Sequence, residues 1–342
     1  MIFLTKNEEL FKLHKKVMIK KIKDEIKNKV LEKDDFVTIS QEDICITPTI
    51  RNLLEYFEKN IEKFVSSNIS MQKLLINEVS LKDATLTKKY KKNEKRSDSY
   101  KIVRYIFETR GYNEFTSSFK YDDRGNEYGA YKFVELLNLK TCPYCNRNYI
   151  SMIEKKVQYD KQRRPELDHF HPKSMYPFLA VNYYNLIPSC STCNKLKSDD
   201  DALMLLHPYD KKVKDVEVTY WLNDMKFYNV KSLKDITFDS EPSIDIEIDI
   251  PIANKRIFQL ERLYQEHTDI VIELILKHLH YPDSYINELS KFGYNKEQIY
   301  RFVFSNYLEE NEFSKRPLAK LTRDIAEELG LLDYMDDEDI TS

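Results

Sequence analysis

A chain of 342 residues with 42% hydrophobic and 13% aromatic content is too long for one average domain and too apolar to be disordered throughout. Its 54 Lys and Arg against 57 Asp and Glu leave a formal net charge of −3, which excludes a uniformly basic coat. Any nucleic-acid contact must then come from a local basic face or from a partner.

The opening Met1-Ile-Phe-Leu4 is too short an apolar run for a signal peptide, and no stretch approaches 18 apolar residues. These features predict a cytoplasmic protein with no membrane span. Residues 5–34 place Phe11, Met18, Ile22, Ile26 and Val30 near helical spacing, with a break at Asp34, Asp35 and Ser40. Cys45, between Ile44 and Ile46, is expected to be a small buried hydrophobe. Thr47-Pro48 signals a helix start ahead of Leu53, Leu54, Phe57, Ile61 and Phe64, and further helical patterns cover 68–80 and 98–110. The basic run Lys88–Arg96 fits a solvated loop better than a track for phosphates.

Tyr121–Asn126 is a turn cluster and an expected boundary, followed by a helix over Tyr131–Leu139 that delivers the chain to its first cysteine pair. Val216–Trp221 and Ile244–Ile250 alternate as strands do. Ile257–Leu279 reads as one amphipathic helix, helical patterns continue to Leu329, and the acidic tail Asp333–Asp339 is expected to fray. There is no internal repeat. The five glycines form no phosphate-binding loop, so any ATP site must sit on another chain.

Between Cys142 and Lys197 the chemistry concentrates. Cys142-Pro-Tyr-Cys145 and Cys190-Ser-Thr-Cys193 offer four thiolates at the spacing of structural Zn²⁺ knuckles. Asn146, just after the first pair, suits the left-handed backbone that such a knuckle requires. A redox pair is the competing reading, but it explains neither the second pair nor the polar residues enclosed.

Asp168-His169 lies inside this frame, on a strand expected to end before Pro172. His169 is the natural general base, and Asp168 offers a hard oxygen to Mg²⁺ or Mn²⁺. Asn194 adds a neutral oxygen to the same ion, or caps a helix. Asn185 reads as a loop clamp that holds backbone groups. His171 is expected to hydrogen-bond within the loop and His207 to pack in the core, while His267, His278 and His280 are expected to be structural. Lys173, Lys195 and Lys197 are expected where the site meets solvent, with Lys173 and Lys197 as candidate phosphate contacts.

The ordered set Cys142, Cys145, Asp168, His169, Pro172, Asn185, Leu186, Cys190, Cys193, Asn194 and Lys197 resembles the HNH endonucleases of the ββα-metal type, in the branch stapled by a four-cysteine zinc. Asn194 stands where the family more often carries histidine. A looser similarity, through Leu167–Ser174 and Leu206-His-Pro-Tyr209, extends to the nuclease subunits of Septu-like anti-phage systems, which work beside an ABC-type ATPase. The resemblance implies His169 as base, Asp168 and Asn194 as ligands of the catalytic ion, and Asn185 as the middle residue of the motif. It also implies DNA as substrate and an ATPase as partner.

The expectation is therefore an α+β protein. A helical region (1–125) and a C-terminal region with few strands and then helices (206–342) flank a zinc-stapled ββα core (126–205). Two rivals stand beside DNA cleavage: an RNA nuclease of the tRNA-cutting kind, and a zinc-bearing nucleic-acid-binding or scaffold subunit whose site is idle. Self-association is open.

Overall fold

Polar residues set just ahead of apolar runs start the helices of this chain. Asn7, Thr47, Asn68 and Ser97 each turn a side-chain oxygen onto the N–H three residues on, opening Glu8–Ile26, Pro48–Lys59, Ile69–Lys82 and Asp98–Arg104. Each such cap contributes about 1 kcal/mol. The computed structural model describes residues 1–27, 35–153, 161–200, 202–222, 236, 244–280 and 283–332. Val30 and the acidic tail Asp333–Asp339 lie outside them.

Helices mixed with four two-stranded antiparallel sheets, among the described residues, agree with the α+β class. No helix among them is long and apolar enough to cross a membrane. The chain forms two compact units. One is Thr5–Leu139 with Ser151–Tyr209, and the other is Met1–Leu4 with Lys140–Ile150 and Asp210–Ser342.

The first unit is built on an aromatic core of Phe57, Phe64, Phe107, Phe115, Phe133, Phe178 and Tyr183. Asp98–Arg104 runs on through a π-helical stretch, Tyr105–Asn113, into Glu114–Ser117, so the expected helix at 98–110 is longer and wider than its period suggests. The Tyr121–Asn126 cluster is the tip of a small hairpin, Phe119–Lys120 with Glu127–Tyr128, where the Asp122 carboxylate accepts from the N–H groups of Arg124 and Asn126. The Lys88–Arg96 run is a loop: Lys88 pairs with Glu94, and Tyr90 donates to the Thr85 carbonyl.

Cys45 corrects the sequence reading. It lies at the end of a hairpin, Phe36–Ile39 with Glu42–Cys45, turned through Ser40 and Gln41, both at positive φ. Strand alternation sends Ile44 inward and leaves Cys45 exposed.

His14 is buried among Phe115, Tyr128, Phe133 and Tyr183. Its Nε2–H donates to the Val181 carbonyl at 2.8 Å, and its Nδ1 accepts from the Tyr128 hydroxyl at 2.8 Å. Burial lowers its pKa from 6.5 to about 4, against the opposing pull of that carbonyl. A histidine depressed on folding contributes stability above its unfolded pKa and loses it as pH falls toward the folded one. Stability is thus expected to drop by about 3 kcal/mol between pH 6.5 and 4 from this residue alone. Urea denaturation of wild type and His14→Gln at pH 7 and pH 5 checks this. The variant should be less stable at both, with a smaller fall between them; equal falls would refute the assignment.

The second unit holds the hairpin Val218–Leu222 with Ile244–Ile248, whose second strand buries alternate residues as its sequence pattern demands. The helix expected over Ile257–Leu279 is broken. Gln259, at φ 50°, separates Ile252–Phe258 from Leu260–Tyr264, and Thr268–His280 follows a 3₁₀ turn. Asn146 is a buried hub here: its Nδ2 donates to Thr141 Oγ1 and the Phe313 carbonyl, and its Oδ1 accepts from the Lys320 N–H.

Candidate active site

The Sγ atoms of Cys142, Cys145, Cys190 and Cys193 all lie within 4.8 Å of one another, and all four side chains are buried. Thiolates around Zn²⁺, at about 2.3 Å, stand about 3.8 Å apart, which this cluster accommodates. Two further features fit a knuckle. Asn146 takes φ 49°, as expected from its position. The N–H groups of Arg147 and Cys193 point at Cys145 Sγ and Cys190 Sγ, both at 3.4 Å, an arrangement that favours thiolate. All four thiols are free of disulfide. Among the described residues, these cysteines are the group of three or more His, Cys, Asp or Glu side chains close enough to share an ion.

Directly after Cys190 the chain enters the helix Ser191–Lys197, with Cys190 itself at the N-cap position. Asn194 is therefore inside the helix and is not its cap. The preceding strand, Leu186–Ser189, pairs antiparallel with Glu166–His169, setting Asp168 opposite Ile187 and His169 opposite Leu186.

Alternation on Glu166–His169 turns Glu166 and Asp168 to one face, and the three-residue spacing of Asn194 and Lys197 puts both on one face of the helix. The two rows meet. Asn194 Nδ2 donates to Glu166 Oε2 at 2.6 Å, and Lys197 Nζ donates to Asp168 Oδ1 at 3.1 Å and to the His169 carbonyl at 2.7 Å. With its NH₂ held by Glu166, Asn194 keeps Oδ1 as an acceptor that makes no hydrogen bond among the described residues.

His169 is 7% exposed, and its ring stands edge-on to Tyr112 with centroids 4.3 Å apart. Its Nε2 lies 3.0 Å from the Ala180 carbonyl. That contact assigns the proton to Nε2 and leaves Nδ1 with its lone pair. Burial, with Lys173 adding to it, pushes the imidazole down to about 3, so the ring is neutral near pH 7. Asn185 is fully buried and acts as a clamp. Its Oδ1 accepts from the His171 N–H, and its Nδ2 donates to the His171 and Leu179 carbonyls. It thereby ties both ends of the loop that presents His169 and Ala180.

Two residues sit differently from the sequence reading. Lys197, expected at the solvent edge, is fully buried because its helix turns it onto Asp168. His171 meets the clamp through its backbone; its ring nitrogens are buried and have no hydrogen-bond partner among the described residues. His267 has the structural role expected of it, accepting from Arg147 Nε at 2.8 Å. Lys195 is exposed and Lys173 partly so, as expected, and His207 is a satisfied core residue between the Tyr184 carbonyl and the Tyr209 N–H. Glu166, Glu108 and Tyr112 were not anticipated: each reaches the site from far along the chain or without a motif of its own.

Lys197→Met removes the cation paired with a carboxylate that is 4% exposed. Breaking a buried pair from one side costs roughly 3–5 kcal/mol. Chemical denaturation should show a loss of that order, partly recovered when Asp168→Asn is added. A loss under 1 kcal/mol would mean the pair is not formed.

A buried four-cysteine cluster that could hold a metal ion thus lies in the same stretch of chain as a hairpin and helix carrying a histidine, carboxylates and an amide. Over 78 residues the chain is 36% identical to the Septu protein PtuB of Bacillus thuringiensis, a match covering 23% of this chain and 26% of that protein. The chain thus aligns with about a quarter of the length of that curated relative. No family model matches the chain, and no solved structure does.

Proposed function

We propose that this chain is a metal-dependent endonuclease of the HNH, ββα-metal type that hydrolyses phosphodiester bonds in DNA. The observation that carries the reading is the strand–strand–helix segment 166–197, in which a neutral histidine with an open Nδ1 adjoins the Asp168 carboxylate, while Asn194 is oriented by Glu166 on the facing helix. His169 Nδ1 takes a proton from the attacking water, and its Nε2–H stays on the Ala180 carbonyl, so the ring keeps one orientation through the transfer. Asn185 holds the loop that fixes this geometry. Asp168 and Asn194 would hold a Mg²⁺ or Mn²⁺ ion, which when bound supplies positive charge to the phosphate oxygens. Zn²⁺ in the cysteine cluster would be structural.

The partial match to a Septu protein, together with the motif, supports a role in anti-phage defence. A partner ATPase is part of this proposal, implied by the resemblance of the motif to Septu-like nuclease subunits. One observation favours a second reading, a zinc-bearing nucleic-acid-binding or scaffold subunit with an idle site: Asp168 already holds the Lys197 ammonium.

The zinc-loaded chain, alone and with the ATPase of a neighbouring gene, should be incubated with plasmid DNA and with total RNA. Cleavage of DNA in both Mg²⁺ and Mn²⁺ is expected. Cleavage of RNA alone would move the substrate to RNA, and no cleavage under any condition would favour the idle site.

A further inference from the structure

Glu108 is a nearly buried acid held by two partly exposed cations. Its side chain lies on the π-helical stretch Tyr105–Asn113, which also carries Tyr112 against His169. The Glu108 side chain is only 9% exposed, and two cations hold its carboxylate. Arg104 Nε reaches Oε2 at 2.6 Å and Arg104 Nη2 reaches Oε1 at 3.3 Å, while Lys173 Nζ reaches Oε1 at 2.8 Å. Lys173 Nζ also lies 5.0 Å from the centre of the Tyr112 ring, whose other neighbour is His169.

The two cations are open where the acid is closed: the side chains of Arg104 and Lys173 are 41% and 32% exposed. A planar guanidinium fork joined by an ammonium is the donor set that binds two oxygens of a phosphate as readily as two of a carboxylate. Burying a carboxylate needs such compensation, yet a helix surface could have avoided the cost with any neutral residue. Placement on a π-helical segment, where the wider turn shifts side chains relative to an α-helix, is also common at functional sites.

We propose that Arg104 and Lys173 form a subsite for one backbone phosphate of a nucleic acid, and that the Glu108 carboxylate fills it in the resting protein. Phosphate entry then exchanges one anion for another, keeps both cations paired, and releases Glu108 to solvent. This rests on the reading of the His169 site as a nuclease, because Lys173 and His169 lie against the same Tyr112 ring. A purely structural ion pair makes the opposite prediction: loss of Glu108 would loosen the loop and weaken every contact nearby.

The test is fluorescence anisotropy with a labelled DNA duplex and, separately, a single-stranded RNA, without added divalent ions so that nothing is cut. Glu108→Gln is expected to bind at least one of them about tenfold more tightly than wild type at low salt. The dependence on salt should steepen by one to two phosphates' worth, on the order of 0.7–0.9 in log–log slope for each. Adding Arg104→Gln or Lys173→Gln should cancel the gain.

Unchanged or weaker binding of both probes by a Glu108→Gln variant that melts like wild type would overturn the subsite. If that variant does not fold, the single variants Arg104→Gln and Lys173→Gln decide. Weaker binding with a shallower salt slope in both supports the proposal, and no change in either overturns it. Cleavage separates this result from the nuclease reading. Tighter binding with no cleavage in Mg²⁺ or Mn²⁺ refutes the nuclease and leaves the subsite standing, whereas cleavage with no gain in binding refutes the subsite alone.

Discussion

Replacing Cys190 with serine is expected to empty the cysteine cluster of zinc and to unfold the segment that follows it. Cys190 does two jobs at one position: it contributes one of four clustered sulfurs, and it stands at the N-cap of Ser191–Lys197, accepting from the Cys193 N–H. That helix has seven residues, too few to persist on its own propensity. Structural zinc sites of this kind contribute apparent binding energies of roughly 10–16 kcal/mol, which appear as folding energy because the unfolded chain has no preformed site. Elemental analysis should find about one zinc per wild-type chain and none in Cys190→Ser. Hydrogen exchange over residues 186–197 should rise to the rate of unprotected amides. A wild-type protein purified without zinc, yet protected over those residues, would remove the metal from the account.

His169→Ala is expected to lower the cleavage rate by about 10²–10⁴, the usual contribution of a positioned general base. The substitution also leaves the Ala180 carbonyl without its donor and opens space beside Tyr112, so a loss of about 1–3 kcal/mol in stability should accompany it. The two effects are separable. Single-turnover rates measured well below the melting temperature, at unchanged zinc content, report the chemistry alone. A rate within threefold of wild type would transfer the role of base to another group, and His171, with both ring nitrogens unpartnered among the described residues, would be the first to test.

Much of the local geometry between Cys142 and Lys197 could be read from the sequence because its signals are local. The two-residue spacers within each cysteine pair, the left-handed preference of Asn146, and a strand ending before Pro172 each depend on neighbours within a few positions. Asn185 could be read as a clamp for the same reason: its partners, Leu179 and His171, lie within one loop. What escaped depends on packing between distant segments. The burial of Lys197 follows from a helix face meeting a strand 28 or 29 residues earlier in the chain, and Glu108 reaches Lys173 across 65 residues.

Backbone conformation was the other blind spot. Gln259 breaks a helix at φ 50°, and Ser40-Gln41 turns a hairpin at φ 51° and 70°, without the Asn or Gly that usually marks such positions. Cys45 is exposed for that reason: its apolar neighbours suggest burial, but the alternation of the hairpin strand turns it outward.

The central claim is that two different metals serve this chain, one held by sulfur to build the segment and one held by oxygen to cut. The most direct test is a titration of Mg²⁺ into zinc-loaded wild-type protein with supercoiled plasmid, alongside Asp168→Asn, with the proposed partner ATPase present. No cleavage is expected at zero Mg²⁺ while zinc is retained, with cleavage that saturates with Mg²⁺ and a large loss in the variant. Full cleavage without added divalent ion, or a variant that titrates like wild type, would contradict it.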